Sequence, residues 1–182
     1  GFDQSITNLN NIEANSVLFT IFWFMETPTS IDIHPRYDLY SASNLSLIHA
    51  IQKAHELNMK VALKPMVDVV DGTWRGQINP SSWASWFTNY RLFIHDFAEL
   101  AEANGVELFV VGTELKSSQS FESNWRQVIS ETRAVFSKNL TYAANWDEYK
   151  DVGFWGSLDY AGIDAYFPLA SKSGPTPEEI KQ

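Results

Sequence analysis

The feature that most constrains the fold is a repeated succession of an apolar run of strand length, a polar loop and a helical pattern. Five such runs occur, at residues 17–25, 60–67, 107–112, 140–144 and 160–166. Their apolarity is nearly continuous, which is typical of strands buried on both faces of a parallel sheet. Strands that alternate with helices in this way predict an α/β fold.

Helical periodicity separates several of these runs. Ser43 is a plausible N-cap for the first helix, Pro80 lies near the first turn of the second, and Gly105 ends it. The apolar side chains of each pattern fall on one face, as in helices that pack against a sheet. The patterns cover residues 43–58, 81–103 and 122–137, and a further helix start lies at 176–180.

Two α/β architectures fit this alternation, an open doubly wound sheet and a closed barrel. An open sheet usually carries a glycine-rich phosphate loop after an early strand, and this sequence has none. A closed (β/α)8 barrel needs about 250 residues, and this chain has 182. We therefore predict an incomplete TIM barrel in which residues 1–182 form one partial catalytic domain. It would cover barrel strands two to six and lack the first strand and the last two.

Composition excludes several classes of function. The formal net charge of −9 and the lack of a basic cluster argue against binding to nucleic acid or anionic lipid. No run is long enough to span a membrane, and without cysteine the chain has no disulfide or thiolate nucleophile. A neutral substrate fits this surface better than a polyanion. We expect a monomer, and we favour a secreted or cell-surface location over the cytoplasm.

Polar and aromatic side chains gather where the predicted strands end, which is the working face of parallel α/β folds. Carboxylates, amides and indoles at that face are what binding and cleaving a sugar requires. The candidate side chains, in chain order, are Trp23, Lys64, Asp68, Trp74, Glu114, Asn145, Trp146, Asp164 and Tyr166.

Glu114 is the strongest candidate for a catalytic residue, because it follows a Val-Val-Gly-Thr strand end and no helical pattern obstructs it. Hydrolysis of a glycosidic bond needs one carboxyl group that protonates the leaving oxygen and a second, ionised one that attacks or activates water. On spacing alone, Glu114 could equally be a solvated loop carboxylate or a helix cap.

The other candidates also carry structural alternatives. Asp164 lies inside a predicted strand, so it belongs either to the site or to an ion pair with Lys64. Trp23 and Trp146 are either sugar platforms or core residues. Trp74 and Arg75 lie in a polar loop that contains glycine, which favours binding.

No metal or cofactor is predicted. The histidines lack the spacing of metal ligands, and the acidic loop at 68–71 lacks the register of a calcium-binding EF-hand. The histidines are His34, His49, His55 and His95.

Several motifs together resemble glycoside hydrolase family 113, in order and over nearly the whole chain. They are Lys-Pro-Met-Val-Asp at 64–68, Asp-Gly-Thr-Trp-Arg-Gly at 71–76, Val-Gly-Thr-Glu-Leu-Lys at 111–116, Leu-Thr-Tyr-Ala-Ala-Asn-Trp-Asp at 140–147 and Leu-Asp-Tyr-Ala-Gly-Ile-Asp-Ala-Tyr-Phe-Pro-Leu at 158–169. The resemblance implies a (β/α)8 barrel of the large retaining clan whose main activity is β-1,4-mannanase.

The resemblance also implies roles. Glu114 would be the general acid/base, and the remaining candidate side chains would line the sugar subsites. Two positions depart from the expected pattern, since Thr113 stands where the larger clan often has asparagine and Met66 where we expect histidine. The family places its nucleophile on strand seven, and no residue of this chain matches it.

Three functions therefore compete at the level of sequence. The first is a retaining endo-β-mannanase that acts on β-mannan or manno-oligosaccharides, with its nucleophile outside this chain, so that these residues alone would be inactive. The second is a non-catalytic carbohydrate-binding barrel. The third, a metal-dependent sugar isomerase or hydrolase, would need histidine or carboxylate ligands at the strand ends, and the histidines lie elsewhere.

Overall fold

A computed structural model describes residues 2–170, 174 and 176–180. Five strands form one sheet in the order β1-β2-β3-β4-β5, and every neighbouring pair is parallel. This sequential order confirms the predicted parallel sheet and excludes the reversal of strand order that defines a doubly wound sheet. The strands are β1 (Ser16–Met25), β2 (Lys60–Val69), β3 (Leu108–Thr113), β4 (Asn139–Asn145) and β5 (Tyr160–Asp164).

Helices precede or follow the strands. The N-cap role of Ser43 is confirmed, because its hydroxyl accepts a hydrogen bond from the Ser46 N–H. The next long helix begins at Trp83, with Ser82 as its N-cap, and Gly105, at a φ of +75°, lies just beyond its end. The helices are α1 (Phe2–Asn11), α2 (Asn44–Glu56), α3 (Trp83–Ala103), α4 (Glu122–Val135) and α5 (Pro177–Ile180).

The main core lies between the sheet and its helices. Since side chains alternate across a strand, Val61, Leu63 and Val67 of β2 face the helices and are almost fully buried. On α3, Trp86, Phe87, Tyr90 and other apolar residues pack against that face. Within the described parts of the chain, no helix is long and apolar enough to cross a membrane.

The opposite face of the sheet is concave. Strands lie about 4.8 Å apart, so β2 and β5 of a flat sheet would be roughly 14 Å apart. Yet the Lys64 ammonium on β2 lies 2.9 Å from the Asp164 carboxylate on β5, which requires the sheet to curl. A cavity of about 660 Å³, lined by residues from all five strands, occupies the amino-terminal half of this face.

Candidate active site

The carboxyl ends of the strands bring the predicted site residues to one edge of the sheet. Asn145 and Asp164 are the last residues of β4 and β5 and pair in register. Glu114 directly follows β3, and its N–H donates to the carbonyl of Ala143 on β4 at 2.8 Å. The prediction that Glu114, Asn145 and Asp164 lie at the same end of parallel strands is confirmed.

Glu114 has an unusual backbone conformation. Its φ is +51°, in the left-handed region, which costs a residue with a side chain about 1 kcal/mol or more. The other described residues of this kind that are not glycine, Glu13 and Asn58, come just after helices, where this conformation is common. Glu114 adopts it after a strand instead. The resulting turn leaves its side chain 12% exposed.

Arg75 joins two of the carboxylates in the site. Its Nη1 donates to Oε2 of Glu114 at 2.8 Å, while its Nε and Nη2 donate to Oδ1 of Asp68 at 2.9 and 2.6 Å. The Arg75 side chain is only 15% exposed, and charge-assisted hydrogen bonds of this kind are short and strong. The Arg75 charge is thus shared between Asp68 and Glu114 instead of facing Glu114 alone.

Tyr40 completes this network on the other side of Asp68. Its hydroxyl donates to Oδ2 of Asp68 at 3.1 Å, so both oxygens of the carboxylate are hydrogen-bonded. Burial raises the pKa of Tyr40, and the nearby Asp68 carboxylate raises it further. Tyr40 is not among the predicted site residues, because its partner lies 28 positions away in the sequence. For Arg75 the sequence favours a binding role but does not indicate the contact with Glu114, which spans 39 positions.

Trp74 lies beside Glu114, as its position in the polar loop predicts. Its indole Nε1 donates to Oε2 of Glu114 at 3.3 Å, and the residue is 36% exposed. The ring packs on Gly76 so closely that a Cβ there would lie 2.4 Å from it. The Gly76 carbonyl accepts from the Ser117 hydroxyl at 2.7 Å, which fastens the Trp74 loop to the loop that follows Glu114.

Lys64 and Asp164 form an ion pair across the concave face, which is the structural alternative that the sequence left open for Asp164. The ammonium donates to both carboxylate oxygens, at 3.1 and 2.9 Å, and the side chains are 11% and 23% exposed. Since Lys64 lies four residues before Asp68 on the same strand face, the pair lies deeper in the concave face than the Asp68 network. The two opposite charges therefore neutralise each other beneath the candidate site.

We expect loss of this ion pair to be costly, because it would leave a partly buried charge without a partner. In Lys64→Met, the free energy of unfolding should fall by about 3 kcal/mol, while Lys64→Met combined with Asp164→Leu should recover much of that loss. Urea unfolding measures both. The control is Lys53→Met, which removes a more exposed pair with Glu56 and should cost less than about 1 kcal/mol. Equal losses at Lys64 and Lys53 would contradict the prediction.

The loops after β4 and β5 supply three more of the predicted residues. Asn145 is half-buried and donates to the Asp147 carboxylate at 2.8 Å. Trp146 is also half-buried, with its ring 6.0 Å from that of Phe167. Tyr166 is 79% exposed, and it lies just outside the fifth strand, which ends at Asp164 rather than at 166 as predicted.

The structure does not bring Trp23 to this site, and its predicted place among the subsites is corrected. Its ring packs against Phe93 and Phe97 of α3, at centroid distances of 5.2 and 5.6 Å. The reason is strand parity, since Phe22 and Phe24 face the concave side, where both rings contact Tyr40, and the residue between them must face the helices. Trp23 is half-buried and packs against the core, in line with the structural alternative given for it from the sequence.

The two residues that depart from the expected motif, Met66 and Thr113, are both buried. Met66 on β2 is 8% exposed and Thr113, next to Glu114, is 2% exposed. The Thr113 hydroxyl has no hydrogen-bond partner among the described residues. Across that same part of the chain, no group of three or more histidine and carboxylate side chains is arranged to hold a metal ion.

A family whose members are known matches nearly the whole of this chain. The model of Glycoside Hydrolase Family 113 matches residues 2–181. The chain belongs to glycoside hydrolase family 113. None of the curated proteins matches it in sequence.

Solved structures place this family 113 chain among (β/α)8 barrels. The family 113 β-mannanase of Alicyclobacillus acidocaldarius, in complex with ManMIm, is 30% identical with a TM-score of 0.89, and the alignment covers 92% of this chain and 56% of that one. A second family 113 β-1,4-mannanase is 27% identical with a TM-score of 0.85, covering 93% and 58%. The family 113 chain thus spans just over half the length of these enzymes. Its five strands correspond to part of the barrel of those enzymes.

A more distant structure shares only the fold. The β-glucuronidase of Ruminococcus gnavus is 13% identical with a TM-score of 0.63, and the alignment covers 99% of this family 113 chain and 27% of that one.

Proposed function

We propose that this chain supplies the acid/base half of a retaining glycoside hydrolase that cleaves β-1,4-mannan, with Glu114 as the acid/base. The observation that carries the proposal is the placement of Glu114. It lies at the carboxyl edge of the sheet, it is held in a left-handed turn, and it is bonded to Arg75 and Trp74. In barrel enzymes this edge is where catalysis occurs.

The two oxygens of the Glu114 carboxylate have different surroundings, which suits a group that gives and takes a proton. Oε2 accepts hydrogen bonds from Arg75 and Trp74, whereas Oε1 has no hydrogen bond among the described residues. The proton therefore belongs on Oε1. Because Asp68 balances the Arg75 charge, the guanidinium can orient the carboxyl group while it is either protonated or ionised.

The reaction then runs in two steps. A nucleophilic glutamate outside this chain attacks the anomeric carbon, the glycosidic bond breaks, and Glu114 gives its proton to the leaving oxygen. In the second step Glu114, now a carboxylate, takes a proton from water as that water attacks the glycosyl-enzyme and releases the nucleophile. Each of the two steps inverts the configuration at the anomeric carbon. After both steps the product therefore has the same anomeric configuration as the substrate.

Substrate binding would fall to the polar and aromatic side chains around Glu114. Trp74 and Trp146 expose indole surface that can stack on the apolar faces of sugar rings, while Asn145 and Tyr166 offer hydrogen-bonding groups at the rim. The net charge of −9 suits a neutral polysaccharide. Mannan is the favoured backbone because the family 113 structures that the chain resembles are β-mannanases.

Hydrolysis of mannan by the full-length enzyme is the direct test of this function. By the full-length enzyme we mean these residues joined to the rest of the barrel. We expect release of manno-oligosaccharides with retention of configuration, observed by NMR of the first products. Binding of mannan without any hydrolysis would instead support a non-catalytic carbohydrate-binding barrel, and inverted products would exclude the proposed mechanism.

We expect Trp146 to act as a sugar platform. In the full-length enzyme, Trp146→Ala should weaken binding of manno-oligosaccharides about tenfold, which corresponds to about 1.4 kcal/mol. Isothermal titration measures the change, and Trp155→Ala tests the loss of an indole that packs on Tyr142 instead. Unchanged affinity in Trp146→Ala would show that this residue has a structural role and does not bind the sugar.

A further inference from the structure

Tyr142 on β4 lies with its hydroxyl against the turn that carries Glu114. The N–H of Leu115, the peptide that directly follows Glu114, donates to the Tyr142 hydroxyl oxygen at 2.8 Å. The Glu114 N–H donates to the carbonyl of Ala143, the next residue of β4. The two peptide N–H groups on either side of the Glu114 side chain are therefore bonded to two consecutive residues of one strand.

From this geometry we propose that Tyr142 is a positioning residue for the acid/base, an inference that rests on the proposed function of Glu114. A left-handed backbone at a residue with a side chain persists only where its surroundings fix it. The Ala143 carbonyl fixes the peptide before Glu114 and the Tyr142 hydroxyl fixes the peptide after it. Together they set the direction in which the carboxyl group leaves the strand.

The surroundings of Tyr142 make its hydroxyl a rigid acceptor. The residue is fully buried, and its ring packs edge-on against those of Trp125 and Phe154, at centroid distances of 5.2 and 5.3 Å. Those two rings in turn stack on each other. Gly112 on β3 makes room for it, since a Cβ there would come within 2.9 Å of the Tyr142 ring and 2.7 Å of the Trp125 ring. Burial raises the pKa of Tyr142, so the hydroxyl stays neutral at any pH at which the enzyme would work.

Packing alone does not explain a tyrosine at this position. A phenylalanine would make the same ring contacts. The hydroxyl group, which only tyrosine provides, is hydrogen-bonded to the segment after Glu114. Besides the Leu115 N–H, it accepts a longer hydrogen bond of 3.5 Å from the Gln119 side chain. Leu115 directly follows Glu114, and Gln119 caps the end of the short 3-10 helix at Lys116–Ser118 that comes next.

Tyr142→Phe in the full-length enzyme tests the inference. Because a misplacement of about 1 Å can cost about 10²-fold in rate, we expect kcat on mannan to fall by about 10- to 100-fold while KM stays within about twofold. The matched control is Tyr90→Phe. Tyr90 is also fully buried, and its hydroxyl donates to the Val111 carbonyl on β3 at 2.9 Å. That bond lies outside the Glu114 turn, so kcat should stay near the wild-type value.

A double-mutant cycle separates positioning from general stability. If Tyr142 acts through Glu114, Tyr142→Phe should cost nothing further in a Glu114→Gln enzyme. A loss of equal factor in both backgrounds, or an unchanged kcat in Tyr142→Phe alone, overturns the inference. Should Glu114→Gln itself keep wild-type activity, the proposed function fails.

Hydrogen exchange gives a readout that is independent of activity. The Leu115 amide of the unaltered enzyme should exchange slowly, and it should exchange faster in Tyr142→Phe, while amides of β3 such as that of Val110 keep their protection. Fast exchange at Leu115 in the unaltered enzyme overturns the inference, even where Tyr142→Phe does not fold.

Discussion

Replacing Glu114 by glutamine should lower the rate of mannan hydrolysis by the full-length enzyme about 10²- to 10⁴-fold, the usual loss when general acid/base assistance is removed. Glutamine keeps the size of the side chain and can still accept hydrogen bonds from Arg75 and Trp74. It can neither give a proton to the leaving oxygen nor take one from water. The measurement is initial rate on mannan, with Glu56→Gln, an exchange on the exposed face of α2, as a control that should match the wild type.

The dependence on the leaving group identifies the step that is lost. An activated aryl mannoside needs little protonation to depart, so its first step should survive in Glu114→Gln and the glycosyl-enzyme should accumulate. The second step should then limit turnover, because no base activates water. Azide needs no such base, so it should restore turnover and give a β-mannosyl azide.

Two outcomes would contradict the assignment of Glu114. One is near-wild-type activity on mannan in Glu114→Gln. The other is an equal loss on mannan and on the activated aryl mannoside without rescue by azide, which would mean that the substitution damages the site without removing a proton-transfer group.

The strands and the larger helices are predictable from sequence because periodicity and caps act locally. The exception is α1, for which the sequence predicted no helix. Its sequence is rich in asparagine, which favours turns over helices. A signal was nevertheless present, since Phe2, Ile6 and Leu9 have the spacing of one helical face, and Ile6 is buried in the core.

The site was only partly predictable, for a physical reason. Residues at the ends of parallel strands must meet at one edge, so Glu114, Asn145 and Asp164 could be placed together from the strand pattern alone. Strand parity also places Trp23 on the opposite face of the sheet from these residues, so its assignment to a subsite could have been rejected from the sequence. The contact of Arg75 with Glu114 could not be predicted, because it depends on how the loop after β2 folds back over the loop after β3.

The 182-residue chain by itself should show no mannanase activity, even with Glu114 intact. A retaining enzyme needs its second carboxylate about 5 to 5.5 Å from the first and free to attack. The carboxylates that the structure places nearest to this role are already engaged. Asp68 is bonded to Arg75 and Tyr40, and Asp164 is bonded to Lys64 through both oxygens.

Extending the chain with the rest of the barrel should both create activity and stabilise the fold. On the concave face, Leu18 and Tyr160 are 48% and 57% exposed, whereas inward side chains fill the interior of a closed barrel. The added strands would cover these residues and bring the nucleophile opposite Glu114. Thermal unfolding and mannan hydrolysis, compared between the 182-residue chain and the full-length enzyme, measure the two effects. Turnover by the 182-residue chain that disappears in Asp68→Asn or Asp164→Asn would instead place the nucleophile among these residues.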